Sequence, residues 1–179
     1  MRVITGTARG MKLLAPEGLN TRPTREAVKE AIFSMIQFET EGARVLDLFA
    51  GSGQMGIEAL SRSAASCVFT DTSPEAVKII KENLNHTKLM NKARVACCDW
   101  TVALRNATFD IAFVDPPYAY ENVDKLLYAL VPCMSDGGVI VFESDPKTEL
   151  PEEVNGFKKT LSRRYGKSNV TLYRKDGEE

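Results

Sequence analysis

The sequence holds a single histidine, His86, and four cysteines, Cys67, Cys97, Cys98 and Cys133, none in a C-x-x-C arrangement. That scarcity leaves a His-rich metal site and a Ser-His or Cys-His catalyst without material. It suits reduced thiols in a cytoplasmic protein better than a disulfide framework. His86 itself sits in Asn85-His86-Thr87, which reads as a helix end, where a histidine caps or is solvated. No apolar run approaches the ~20 residues that a membrane span needs. The opening MRVITGTARGMKLLAPEG lacks the apolar core of a secretory signal. No internal repeat, low-complexity tract or long linker divides the chain. What is present is globular in composition: 179 residues, 44% hydrophobic and 26% charged, enough for one domain with a full core. We expect a monomer with no metal and no membrane partner.

The net charge of -1 conceals a segregation. Residues 1–30 carry a net +3, residues 157–175 a net +7, the stretch 31–156 a net -8 and the last four residues -3. Basic ends around an acidic middle permit a polyanion footprint if the two ends meet in space. The competing explanation is an edge strand kept soluble by Lys and Arg. Arg2, Arg9, Lys12, Arg25, Arg163, Arg164 and Lys167 are the candidate contacts. Arg9-Gly10 is expected at a loop tip, in an extension with little core of its own.

Short apolar runs alternate with helical patterns. Ala43–Phe49, Ser66–Asp71, Ala93–Asp99, Phe109–Asp115 and Gly138–Glu143 read as buried strands, each ending in or just after an acidic residue. Val77, Ile80 and Leu84 recur at helical spacing after Ser73-Pro74-Glu75, an N-cap, N1 proline and acidic first turn. Val123, Leu126, Leu127, Leu130 and Val131 form a second apolar helix face, and Val28, Ile32, Met35 and Ile36 a third, opened by Arg22-Pro23-Thr24. Apolar strands separated by helices predict an α/β fold with a parallel sheet covered on both faces. Phe157–Arg164 and Asn169–Lys175, joined by Tyr165-Gly166-Lys167-Ser168, predict a closing antiparallel hairpin, which makes seven strands. Residues 1–20 predict a short β-hairpin extension, and 21–179 the main domain.

The first strand runs into Asp47-Leu48-Phe49-Ala50-Gly51-Ser52-Gly53-Gln54-Met55-Gly56. Gly51, Gly53 and Gly56 satisfy G-x-G-x-x-G between a strand and a helix, the context in which glycines let a backbone approach a nucleotide. Asp71 ends the next strand twenty residues after Gly51, where an acid accepts both ribose hydroxyls of an adenosine-type ligand. Asp47 lies just before the loop. A pyrophosphate disfavours a carboxylate there, whereas the ammonium of an amino-acid tail welcomes one, which favours S-adenosylmethionine over NAD. Asp99, ending the third strand in Cys98-Asp99-Trp100, either accepts from an adenine amine or caps the helix that begins at Trp100. Trp100 is a pocket wall or a core residue.

The fourth strand ends in Asp115-Pro116-Pro117-Tyr118. Two prolines stiffen the exit and hold the preceding Asp extended. An aromatic amine is a poor nucleophile because its lone pair is delocalised. Asp115 and the Pro116 carbonyl can accept its N–H groups and localise that pair, while Tyr118 stacks on the base and holds it in line with a methyl sulfonium. A rigid turn with a packed tyrosine is the alternative.

DLFAGSG followed by DPPY resembles the class I, Rossmann-like SAM-dependent amino-methyltransferases. RVITGTARGMKL, TRPTREAVKEAIFSMI, DLFAGSGQMGIEALSR and RYGKSNVTLYR narrow the resemblance, essentially end to end, to the RsmD-type family of bacterial 16S rRNA guanine-N2 methyltransferases. The resemblance implies a bound S-adenosyl-L-methionine, released as S-adenosyl-L-homocysteine. It implies a guanine exocyclic amine as acceptor, and 16S rRNA in the small ribosomal subunit or an assembly intermediate as partner. It implies cofactor contacts from Asp47, Leu48, Phe49, Ala50, Gly51, Ser52 and Gly53, from Asp71 and Thr72, from Cys98, Asp99 and Trp100, and from Asp115. Arg22 and Thr24 fall near the methionine carboxylate, an anion that suits an Arg and a helix start. Thr72 stands where the family pattern has a larger or charged residue. It implies catalysis by Asp115, Pro116, Pro117 and Tyr118. Two other readings remain: an adenine-N6 methyltransferase on DNA or RNA, for which 179 residues leave no target-recognition domain, and a catalytically silent SAM- or RNA-binding module.

Overall fold

The computed structural model describes residues 1–16, 23–105, 107–117 and 120–175, with the side chains of residues 23–25 outside that description. The alternating pattern folds into one sheet. In chain order the elements are α1 (Pro23–Met35), β1 (Arg44–Leu48), α2 (Gln54–Ser61), β2 (Ser66–Asp71), α3 (Pro74–His86), β3 (Ala93–Cys97), α4 (Trp100–Ala103), β4 (Phe109–Val114), α5 (Val123–Leu130), β5 (Met134–Ser144), β6 (Glu153–Val154), β7 (Phe157–Tyr165) and β8 (Ser168–Lys175). Across the sheet the order is β3-β2-β1-β4-β5-β8-β7-β6. The first five strands are parallel, and β8, β7 and β6 add antiparallel to β5 and to one another.

The side chains of each central strand alternate between two apolar clusters, as a sheet covered on both faces requires. Val45, Phe113 and Val141 pack with Val28 and Ile32 of α1, Ile57 and Leu60 of α2 and Ile80 and Leu84 of α3. Leu46, Val114 and Phe142 face the other way, onto Trp100 and onto Leu126, Leu127 and Leu130 of α5. Helix α3 starts as its sequence dictates: the Ser73 side chain accepts from the Ala76 N–H, and Pro74 occupies the first turn.

Four details differ from expectation. The sheet has eight strands, because Glu153–Val154 pairs with Phe157 and Lys158; two residues are too few to show a period in sequence. Strand β3 stops at Cys97 instead of reaching Asp99. The described part of the N-terminal extension contains one isolated bridge, Arg2 to Lys12, and no regular hairpin strands. Nor does the extension lack a core, since Val3, Ala8 and Leu13 are buried in the cluster that holds α1 and α2. Its backbone is held by side chains of α2. The Glu58 carboxylate accepts from the Ile4 and Thr5 amides at 2.8 and 3.0 Å, and Ser61 Oγ accepts from the Ala8 amide at 3.0 Å. Among the described residues no helix is long and apolar enough to cross a membrane.

Candidate active site

The carboxyl ends of β1, β2, β3, β4 and β5 lie along one edge of the sheet, where ligands of open α/β sheets bind. The glycine loop follows β1. Gly53 caps α2 in the left-handed region, at φ 76°, and α2 has no side-chain cap. Gly56 packs α2 onto β2 so closely that a Cβ there would lie 2.3 Å from Phe69 Cε1 and 2.6 Å from Cys67 Sγ. The third glycine of the motif is therefore a packing requirement, whereas Gly51 faces open space.

Acids at the strand ends hold this loop in place. Asp71 Oδ2 accepts from the Gly51 amide at 2.9 Å, and its Oδ1 accepts from the Ser73 amide at 2.8 Å. Asp47 lies beneath the loop, 4% exposed, with Oδ2 accepting from the Gly56 amide at 2.9 Å. Its burial raises its pKa to about 7, against the opposing effect of the Gly56 bond; the nearby Asp71 charge adds to the rise. Its carboxylate thus ties α2 to β1. Asp99 is the N-cap of α4: Oδ1 accepts from both the amide and the hydroxyl of Thr101, which together hold its pKa below the usual carboxylate range. The capping alternative is realised in the structure.

The other cofactor candidates divide by exposure. Leu48 is fully buried in the cluster with Leu126 and Leu127. Ala50 donates its amide to the Thr70 carbonyl at 2.9 Å, and Ser52 is buried, with its carbonyl accepting from Asn83 Nδ2 at 2.9 Å. Thr72 is exposed, and half-buried Cys98 donates its amide to the Asp71 carbonyl. Phe49 adopts φ 60°, unusual for a bulky residue and typical of a held functional turn. Its ring meets Tyr120 edge-on at 5.8 Å, and the Tyr120 hydroxyl accepts from Trp100 Nε1 at 2.9 Å. Phe49, Tyr120 and Trp100 thereby form a connected aromatic wall. Arg22 and Tyr118 lie outside the described residues, as do the side chains of Thr24 and Arg25.

Beside that wall is a cavity of about 520 Å³, within the range of small-molecule sites. Asp115, Pro116, Pro117 and Tyr120 line it from the end of β4, Lys29 and Ile32 from α1, Gln54 and Met55 from α2, Glu143 and Ser144 from β5, and the turn 165–168 from the hairpin. The two basic ends approach each other in part, since Val28, Lys29 and Ile32 of α1 and the β7–β8 turn line the same space. Not all their charge is free for a polyanion. Arg174 pairs with Glu39, Lys175 with Asp136, Lys159 with Glu152 and Arg2 with Glu26. Arg9, Lys12, Arg163, Arg164 and Lys167 are exposed, with the Arg164 guanidinium donating to the Gly166 carbonyl.

Sequence reasoning missed one buried group. Lys29 is 1% exposed, yet its ammonium lies 3.5 Å from Glu58 and donates to the Arg2 carbonyl at 2.6 Å. Burial lowers its pKa, against the pull of Glu58. Glu58 also accepts from Arg62 at 2.9 Å, and the Arg62 guanidinium sits 4.7 Å above the Phe33 ring. Only the Glu58–Arg62 pair, at i,i+4 spacing, has a local signature; Lys29 and the Arg2 carbonyl join it when the extension folds onto α1 and α2.

A family model described as Conserved hypothetical protein 95 matches residues 1–174. The chain is 41% identical over 184 residues to a putative rRNA methyltransferase, YlbH, of Bacillus subtilis, across 99% of this chain and 100% of that protein. It is 33% identical over 155 residues to ribosomal RNA small subunit methyltransferase D of Escherichia coli K12, across 84% and 78% of the two chains. A solved putative methyltransferase from Escherichia coli, yhhF, superposes with a TM-score of 0.88 at 30% identity, covering 99% of each chain.

Proposed function

The chain belongs to the Conserved hypothetical protein 95 family of RsmD-like methyltransferases, and from that premise we propose that it methylates the exocyclic N2 amine of a guanine in 16S rRNA. The observation that carries the reading is the cavity at the end of β4, which places Asp115, Pro116 and Pro117 beside the aromatic wall and next to the start of α2.

The strand-end residues fit S-adenosylmethionine. Each oxygen of Asp71 spends one lone pair on a backbone amide and keeps another for a ribose hydroxyl. Gly51 leaves the space above the loop open, and the uncapped start of α2 suits a carboxylate. Bound there, the cofactor supplies a methyl group on a positively charged sulfur. Asp115 and the Pro116 carbonyl accept the N–H groups of the base amine, which frees its lone pair, and Asp115 takes the proton lost on transfer. Tyr118 stacks on the base. Proline at both following positions keeps these acceptors from relaxing away.

The relatives named for rRNA methylation support the ribosomal substrate. The exposed basic residues Arg9, Lys12, Arg163, Arg164 and Lys167 support a footprint spread over the extension (residues 1–20) and the hairpin. The test is methyl transfer from tritiated S-adenosylmethionine to small ribosomal subunits, naked 16S rRNA and DNA, followed by nucleoside analysis. N2-methylguanosine in rRNA is expected. N6-methyladenine, or no transfer to any of the three, overturns the reading.

A further inference from the structure

Val114 and Phe142 are the last positions paired between β4 and β5, so Asp115, leaving β4, and Glu143, still in β5 opposite Val170 of β8, follow at the same level of the sheet. Both line the cavity. Glu143 is half-buried, and among the described residues its carboxylate takes part in no hydrogen bond or ion pair. The Oγ of the next residue, Ser144, is buried and also has no partner. Opposite them, the β7–β8 turn brings Lys167 to the same cavity. A half-buried acceptor with no partner, facing a basic residue across one space, is an incomplete hydrogen-bonding set, and such groups are satisfied in native proteins by a ligand or by water.

Guanine presents a complementary edge: the 2-amine, the adjacent N1–H and, beyond it, the O6 acceptor. If the amine hydrogens go to Asp115 and the Pro116 carbonyl, the N1–H falls toward the neighbouring strand end. Adenine presents a bare N1 there, whose lone pair repels a carboxylate. We propose that Glu143 selects the acceptor base by taking the N1–H of guanine, with Lys167 donating to O6. The proposal rests on the guanine reading above and assigns the residue that makes it specific. Loss of a hydrogen bond to a charged partner inside a site discriminates between bases, because the carboxylate is then covered by the base and left unpaired.

The probe is 2-aminopurine riboside, which keeps the 2-amine of guanosine but has a bare N1 and no O6. Guanosine and 2-aminopurine riboside are titrated by NMR into protein saturated with S-adenosylhomocysteine. The wild type should prefer guanosine tenfold or more. Glu143→Gln, whose amide can donate to a bare N1, should cut that preference at least fivefold while homocysteine-product affinity stays the same. Lys167→Met should weaken guanosine and leave 2-aminopurine riboside unchanged; its exposed position makes it a second arm if Glu143→Gln does not fold. A guanosine preference that survives both substitutions overturns the proposal, as does a wild type with no preference or no nucleoside binding. Product analysis separates the two levels. N2-methylguanosine with an unaltered preference sinks only the Glu143 assignment, and N6-methyladenine sinks the guanine reading with it.

Discussion

The Asp71 carboxylate accepts from the Gly51 amide at 2.9 Å, joining the end of β2 to the glycine loop after β1. The acid proposed to hold the ribose therefore also fixes the loop against which the ribose lies. Pre-organisation of this kind lowers the cost of binding.

Asp71→Ala is expected to weaken S-adenosylhomocysteine binding by about 1.5–3 kcal/mol, the worth of hydrogen bonds to a charged group. Calorimetry reads it directly. Tight NAD binding with no S-adenosylhomocysteine binding would remove the cofactor assignment altogether.

Asp115→Ala is expected to lower turnover by orders of magnitude and to leave much of the cofactor affinity. The N–H groups of the amine need acceptors in the transition state, and the ground-state cofactor does not. Single-turnover rates set beside equilibrium binding make the comparison; near-normal turnover would show that Asp115 is not catalytic.

Arg9→Glu combined with Lys12→Glu is expected to raise the apparent KM for the ribosomal substrate and to flatten the dependence of binding on salt, because phosphate contacts release counterions. Affinity for S-adenosylhomocysteine should not change. If these charges serve solubility alone, RNA affinity stays as it was.

Glu58→Ala is expected to destabilise the fold by about 3–5 kcal/mol, the usual cost of leaving one member of a buried ion pair uncompensated. The carboxylate receives the Ile4 and Thr5 amides, the Arg62 guanidinium and the Lys29 charge, all of which lose their partner together. Urea unfolding measures it, and a loss below about 1 kcal/mol would place it among ordinary surface pairs.

Asp47 gives stability a pH dependence of definite sign. Its pKa is about 7 in the folded protein against an ordinary aspartate value of 3.8, so between those values the folded state holds a proton that the unfolded state has lost. Its contribution is therefore most favourable below about pH 4 and falls as pH rises to about 7, by up to 1.4 kcal/mol per unit. Asp47→Asn, which keeps an acceptor for Gly56, should be more stable relative to wild type at pH 8 than at pH 4.5. Equal differences at the two pH values would mean that Asp47 titrates normally.

The parts of the site that could be read in sequence are those built from neighbours in the chain. Asp47 through Gly56 encode a strand, a turn and a helix start within ten residues. Asp71 and Asp115 were legible because each follows an apolar run whose end is marked by composition. What could not be read depends on distant segments. Lys29 stands beside Glu30 and looks like one more solvated charge, until the carbonyl of Arg2 and the carboxylate of Glu58 fold around it. Tyr120 completes the aromatic wall, yet the sequence draws attention to Tyr118, two residues earlier, which lies outside the described residues. Asp99 kept two meanings because an N-cap and a ligand acceptor have the same local signature. The net charge of the hairpin showed its basicity, but not that Arg174, Lys175 and Lys159 are matched by acids from elsewhere.

The strand order also constrains how the protein can be assembled during synthesis. The chain is made in the order β5, β6, β7, β8, but the sheet extends outward as β5, β8, β7, β6. Strands β6 and β7 leave the ribosome first and have no docking edge until β8 inserts between β7 and β5. The turn 165–168 that closes the cavity is carried by that same late hairpin. The glycine loop and the β4 exit are thus synthesised well before the hairpin turn that faces them across the cavity.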